Sequence, residues 1–76
     1  MYTGKHFRLL HSTLGIEGDG DQRTAILVPA GDRIVVLSGP RPDDTRMLDV
    51  RWGERKLIMF VEDVIQRGEE IKSRSA

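Results

Sequence analysis

Between residues 46 and 61 two apolar runs alternate with period two on either side of Gly53-Glu54. No other feature limits so sharply what the chain can become. Period-two alternation sends successive side chains to opposite sides of a strand, and a two-residue loop joins antiparallel neighbours. Leu48, Val50 and Trp52 then share one side of a strand over 46–52, while Met47, Asp49 and Arg51 share the other. With the turn at 53–54, a strand over 55–61 returns with Val50 facing Leu57 and Leu48 facing Met59. Both strands thus send their apolar sets the same way.

The rest of the chain keeps that rhythm. Residues 6–11 alternate Phe7 and Leu9 with Arg8 and Leu10, and apolar runs over 23–28 and 33–38 flank Pro29-Ala30-Gly31-Asp32, where Gly31 supplies the positive φ of a tight reversal. Residues 14–22 hold three Gly and three acids and read as a long mobile loop without a regular element. Residues 39–45 contain two prolines and read as a second exposed loop. After residue 60 the period changes: Val61, Val64 and Ile65 recur at i, i+3 and i+4, which predicts a short helix over 61–67 stopped by Gly68. Glu69-Glu70-Ile71 closes the structure as a short strand, and 72–76 is a polar tail. The expected architecture is mainly β, a small barrel of about five to six strands with one short helix, forming a single domain over 1–76. Its expected core is Phe7, Leu9, Ile26, Val28, Ile34, Val36, Leu48, Val50, Leu57 and Met59.

Composition narrows the function classes. The chain has 76 residues, 38% hydrophobic and 32% charged, which suits one globular domain and argues against disorder or a membrane span. Twelve Lys plus Arg balance twelve Asp plus Glu, so no overall field draws the protein to nucleic acid or an anionic bilayer, and such binding would need a local patch. With no Cys there is no disulfide framework, thiolate nucleophile or cysteine zinc site. No apolar stretch near the start has the form of a secretory signal, and the runs Ala25-Ile26-Leu27-Val28 and Leu57-Ile58-Met59-Phe60-Val61 fall well short of the ~20 residues that cross a bilayer. The expected location is cytoplasmic, without membrane contact.

No catalytic or metal-binding constellation emerges. His6 and His11, five apart on one strand, point to opposite faces, so no metal site is expected. Asp19-Gly20-Asp21 resembles a fragment of a calcium loop without its closing Glu, and reads as solvated. Ser12, Ser38, Ser73 and Ser75 sit in no nucleophile context, and the acid pairs Asp43-Asp44 and Glu69-Glu70 read as surface charge. Neither an enzyme nor a cofactor is expected. Two surface features stand out. Arg41, Arg46, Arg51, Arg55 and Lys56 form the one basic cluster, with Arg51 and Lys56 side by side, and would be the phosphate-contacting set of a nucleic-acid binder. Met47, Ile58 and Phe60 lie on the outer side of the hairpin, where the helix stripe, the first strand, a second copy or a partner protein must cover them. Trp52, at its strand's end, is a barrel-end core residue or a partner-binding anchor.

The order of strands, loops, tight turn, hairpin, short helix and last strand resembles an SH3-like barrel from about residue 6 to residue 71. The most telling stretch is Val28-Pro29-Ala30-Gly31-Asp32-Arg33-Ile34-Val35-Val36-Leu37, similar to the diverging turn and apolar strand of that fold. The sub-stretch Gly31-Asp32-Arg33-Ile34-Val35-Val36-Leu37-Ser38-Gly39-Pro40 is similar to the opening of KOW motifs, a resemblance that implies contact with RNA or with a ribosome or polymerase. Asp43-Asp44-Thr45 stands where the KOW pattern continues with a Gly-hydrophobic pair. The first loop carries no aromatic and no Tyr follows a Pro near residue 62, so the polyproline-binding pattern of eukaryotic SH3 domains is missing. As a whole the chain is similar to short bacterial proteins of uncharacterised role. The expected function is therefore a non-enzymatic SH3-like module that binds a protein partner or a second copy of itself, the alternative being a KOW-like RNA contact.

Overall fold

The computed structural model describes residues 2–18 and 20–72. Seven strands, β1 (His6–Leu9), β2 (Thr13–Glu17), β3 (Thr24–Val28), β4 (Arg33–Ser38), β5 (Met47–Trp52), β6 (Arg55–Phe60) and β7 (Gly68–Ile71), form one sheet in the order β3-β2-β6-β5-β4-β1-β7. All the pairings are antiparallel. The one α-helix among the described residues, α1 (Val61–Arg67), follows β6 without a loop. Phe7, Leu9, Val28, Ile34, Val36, Leu48, Val50, Leu57, Met59 and Val64 are buried in one cluster drawn from β1, β3, β4, β5, β6 and α1. Strands so far apart in the order reach one cluster only if the sheet curls around it, leaving an inner side packed with apolar residues and an outer side toward solvent.

The hairpin lies in the expected register, Leu48 opposite Met59 and Val50 opposite Leu57. Its turn has Gly53 at φ 61° while Glu54 keeps a negative φ, the sign pattern of a type II′ reversal, whose twist suits the flanking strands. Between β3 and β4 the Asp32 amide donates to the Pro29 carbonyl at 3.3 Å and Gly31 has φ 93°, as a type II turn requires. That turn is fastened to β1, because Gly31 N–H donates to Leu9 O at 2.7 Å and Leu9 N–H to Asp32 O at 2.9 Å.

Four expectations are corrected. Residues 13–17 are a strand, so the sheet has seven strands where five to six were expected, and the long mobile loop shrinks to the connection after Glu17, which contains a 3-10 turn at Gly20–Gln22. Gly15 caused the misreading: it is buried, and a Cβ there would come within 3.0 Å of Leu57 Cδ1 and 3.4 Å of Met59 Cγ. It lets β2 lie close over two core side chains and breaks no strand. Gly68 has an extended backbone, φ −120°, and opens β7 where a left-handed helix stop was expected. It is Gly for want of space, since a Cβ would meet the Val64 carbonyl oxygen at 2.7 Å. Ile26 is half-buried at the margin of the core, and Val64 completes it from α1. Finally, β1 ends at Leu9, so His11 lies beyond it. Asp19 and residues 73–76, including Ser73 and Ser75, lie outside the described residues.

Candidate functional site

Strand registers assemble the outer side into cross-strand pairs. Thr13 and Gly15 face the core, so Leu14 and Ile16 face outward. Leu57 and Met59 face inward, so Lys56, Ile58 and Phe60 face outward. Leu27 lies opposite Leu14, Ile16 opposite Ile58, and Phe60 opposite Met47. β2 and β6 pair at Ile16 and Ile58, so the outward apolar residues form two pairs on either side of that bridge, Leu27 with Leu14 and Phe60 with Met47. Leu27 and Leu14 are each 56% exposed and Phe60 42%. From Phe60 the apolar surface continues onto α1, where Ile65 is 45% exposed and joins Phe60, Val61, Thr45, Arg46, Glu62 and Gln66 around an open groove of about 590 Å³.

The local sequence explains why this surface stays bare. β6 runs straight into α1, Val64 turns into the core and Val61 packs against it, so the helix closes the end of the sheet and leaves Phe60, its N-cap residue, outside. The helix stripe therefore covers no more than this end of the hairpin. Met47 and Ile58 are half-buried, Ile58 beside Ile16 and Arg41 in a depression of about 290 Å³. Trp52 is not brought to this surface. It points to the other side of β5, packs at the margin of the core, donates its indole N–H to Asp32 Oδ2 at 2.9 Å and lies under the Arg55 guanidinium at 5.4 Å. The core, Arg55 and Asp32 thus all engage its ring within the molecule.

The basic cluster divides. Arg41 makes a two-pronged contact with Asp49, Nε to Oδ2 at 3.2 Å and Nη2 to Oδ1 at 2.5 Å, and Ser38 Oγ adds a hydrogen bond at 3.1 Å. Arg55 grips Glu17 in the same way at 2.8 and 2.7 Å, and Arg46 pairs with Asp44 at 3.2 Å. These hydrogen bonds hold the carboxyl groups of Asp49, Glu17 and Asp44 below their ordinary pKa values and raise those of Arg41 and Arg55. Arg51 and Lys56 differ: they lie directly opposite one another and have no ion-pair partner among the described residues. Arg33 joins them from β4, on the same face two residues from Val35, which pairs with Arg51. It too is exposed and makes no ion pair among the described residues.

Leu14, Leu27 and Arg33 are members of these surfaces that sequence reasoning did not place there. The alternation Thr13-Leu14-Gly15-Ile16 carried the signal for Leu14, masked by the neighbouring glycines, whereas Leu27 and Arg33 need the pairing of distant strands. Among the described residues no cluster of three or more His, Cys, Asp or Glu is placed to hold a metal ion, and no helix is long and apolar enough to cross a membrane. Compared with known proteins, the chain matches no family model, no curated protein and no solved structure.

Proposed function

We propose that this protein is a non-enzymatic interaction module, an SH3-like domain that docks another protein surface on its outer face around Phe60. The observation that carries the reading is Phe60 exposed beside exposed Ile65 on an open groove, an apolar surface that the chain's own helix leaves uncovered. Contiguous exposed apolar surface marks interfaces, and an aromatic at its centre is the typical anchor. The strand order, the turn at Pro29-Ala30-Gly31-Asp32 and the helix before the last strand support the SH3-like assignment. Phe60→Ser should weaken the complex with a partner protein by at least about tenfold while the melting temperature stays within a few degrees. A partner complex indifferent to Phe60→Ser, a chain that binds no other protein surface, or a variant that unfolds would each overturn the reading.

A second reading, contact with RNA, is favoured by one observation: Arg33, Arg51 and Lys56 gather like charge that makes no ion pair among the described residues, the nearby Asp49 carboxylate being engaged by Arg41. Like charges directly opposite in a sheet are unfavourable, and a phosphate ligand would relieve them. Affinity for a generic RNA at two salt concentrations tests it. Phosphate binding requires a steep loss with salt and a shallower slope in Lys56→Ser, and absence of binding at low salt rejects it.

A further inference from the structure

The two edges of the sheet are protected unequally, and we propose that the bare edge, β3, receives β3 of a second copy of this chain as an antiparallel strand. At the other edge β7 carries Glu69 and Glu70, both exposed and tied back, Glu69 to Arg8 of β1 at 3.2 Å and Glu70 to Lys5 just before β1 at 3.6 Å. Charges along an edge discourage another strand from adding to it. β3 has no such defence. Its residues Thr24-Ala25-Ile26-Leu27-Val28 include no charge and no proline, and their register with β2 runs without a bulge. β3 pairs with β2 alone, so alternate backbone N–H and C=O groups on its far side have no strand partner among the described residues. Thr24, Ala25 and Leu27 are exposed and Ile26 is half-buried.

The strand's own sequence favours an identical copy as the occupant. Two uncharged copies meet without like-charge repulsion. Antiparallel pairing about a two-fold axis at Ile26 sets Ala25 opposite Leu27 of the other copy, small against large, at both ends of the contact, and self-complementarity of this kind is what a symmetric dimer needs. The axis is perpendicular to the sheet, so both outer faces end on the same side. Leu27 is partly covered while Phe60 and the groove beside Ile65 stay open. The edge contact is therefore separate from the docking proposed at Phe60, and the two can fail independently.

Sedimentation of the full chain from micromolar to millimolar concentration tests the proposal. Wild type should form a dimer. Ala25→Lys with Leu27→Lys, or Ala25→Glu with Leu27→Glu, should weaken it at least about a hundredfold, and an equimolar mixture of the two double variants should recover a one-to-one dimer. Phe60→Ser should leave the dimer intact. A second readout needs no variant: in wild type the far-side amides of Thr24–Val28 should exchange with deuterium at least about tenfold more slowly at high concentration, and those of Gly68–Ile71 equally at both. A monomer over the whole range, charged variants that dimerise like wild type, a mixture that stays monomeric, or concentration-independent exchange in β3 would overturn the proposal. A dimer that only Phe60→Ser dissociates would overturn the edge contact and leave the docking reading standing.

Discussion

Single residues explain most about where the chain's patterns mislead. Gly15 and Gly68 look like breaks in regular structure, yet each is Gly because a neighbour occupies the space of a Cβ, the Leu57 and Met59 side chains for Gly15 and the Val64 carbonyl for Gly68. Composition cannot separate a glycine that bends the backbone from one that makes room, since the second kind depends on how the chain packs, against Leu57 and Met59 for Gly15 and against the preceding helix for Gly68. Gly15→Val should therefore lower stability by about 1 to 3 kcal/mol, the usual cost of overpacking, and urea unfolding with an unchanged slope would measure it. Val50, fully buried opposite Leu57, is the converse case, legible from period-two alternation alone. Val50→Asp should prevent folding, because an unpaired buried charge costs several kcal/mol, on the order of a small domain's whole stability. A cooperative thermal transition at the wild-type temperature would contradict the register. Trp52→Phe removes the N–H that reaches Asp32 and should cost about 1 kcal/mol by the same unfolding measurement.

At the scale of elements, legibility followed how local the determining contacts are. β4, the β5–β6 hairpin and α1 could be read from the chain because a short turn or a short stripe decides each of them. β2 could not, since it is held by β3 on one side and by β6 from the far end of the chain on the other. The cover of the hairpin is a similar case. Helical periodicity correctly gives α1, but Val61 and Val64 both turn to the core, so the stripe closes the end of the curled sheet and Ile65 is left beside Phe60. A helix of seven residues is too short to persist alone and depends on Val64 in the core. Val64→Ala should thus lower the melting temperature and melt α1 and β7 together, visible as loss of exchange protection over both elements.

At the scale of the whole molecule, a chain of zero net charge distributes its ions unevenly. Asp49, Glu17 and Asp44 are held ionised by arginines. A carboxyl whose pKa is depressed in the folded state stabilises the fold above its unfolded value and loses that contribution as pH falls through the folded one. Stability should accordingly be flat above about pH 5 and decline once pH drops below the ordinary carboxylate values of 3.8 and 4.5. Asp49→Asn should flatten part of that decline in a denaturation series from pH 6 to pH 2. In the proposed function the apolar end of the outer side, around Phe60, and not its basic end at Arg51 and Lys56, meets the partner. Photo-crosslinking in the native cell tests it most directly, with a benzoylphenylalanine placed at Phe60 in one variant and at Arg51 in another. A discrete protein adduct from position 60 and none from position 51 is the predicted result; an adduct from position 51 alone, or from neither, would contradict it.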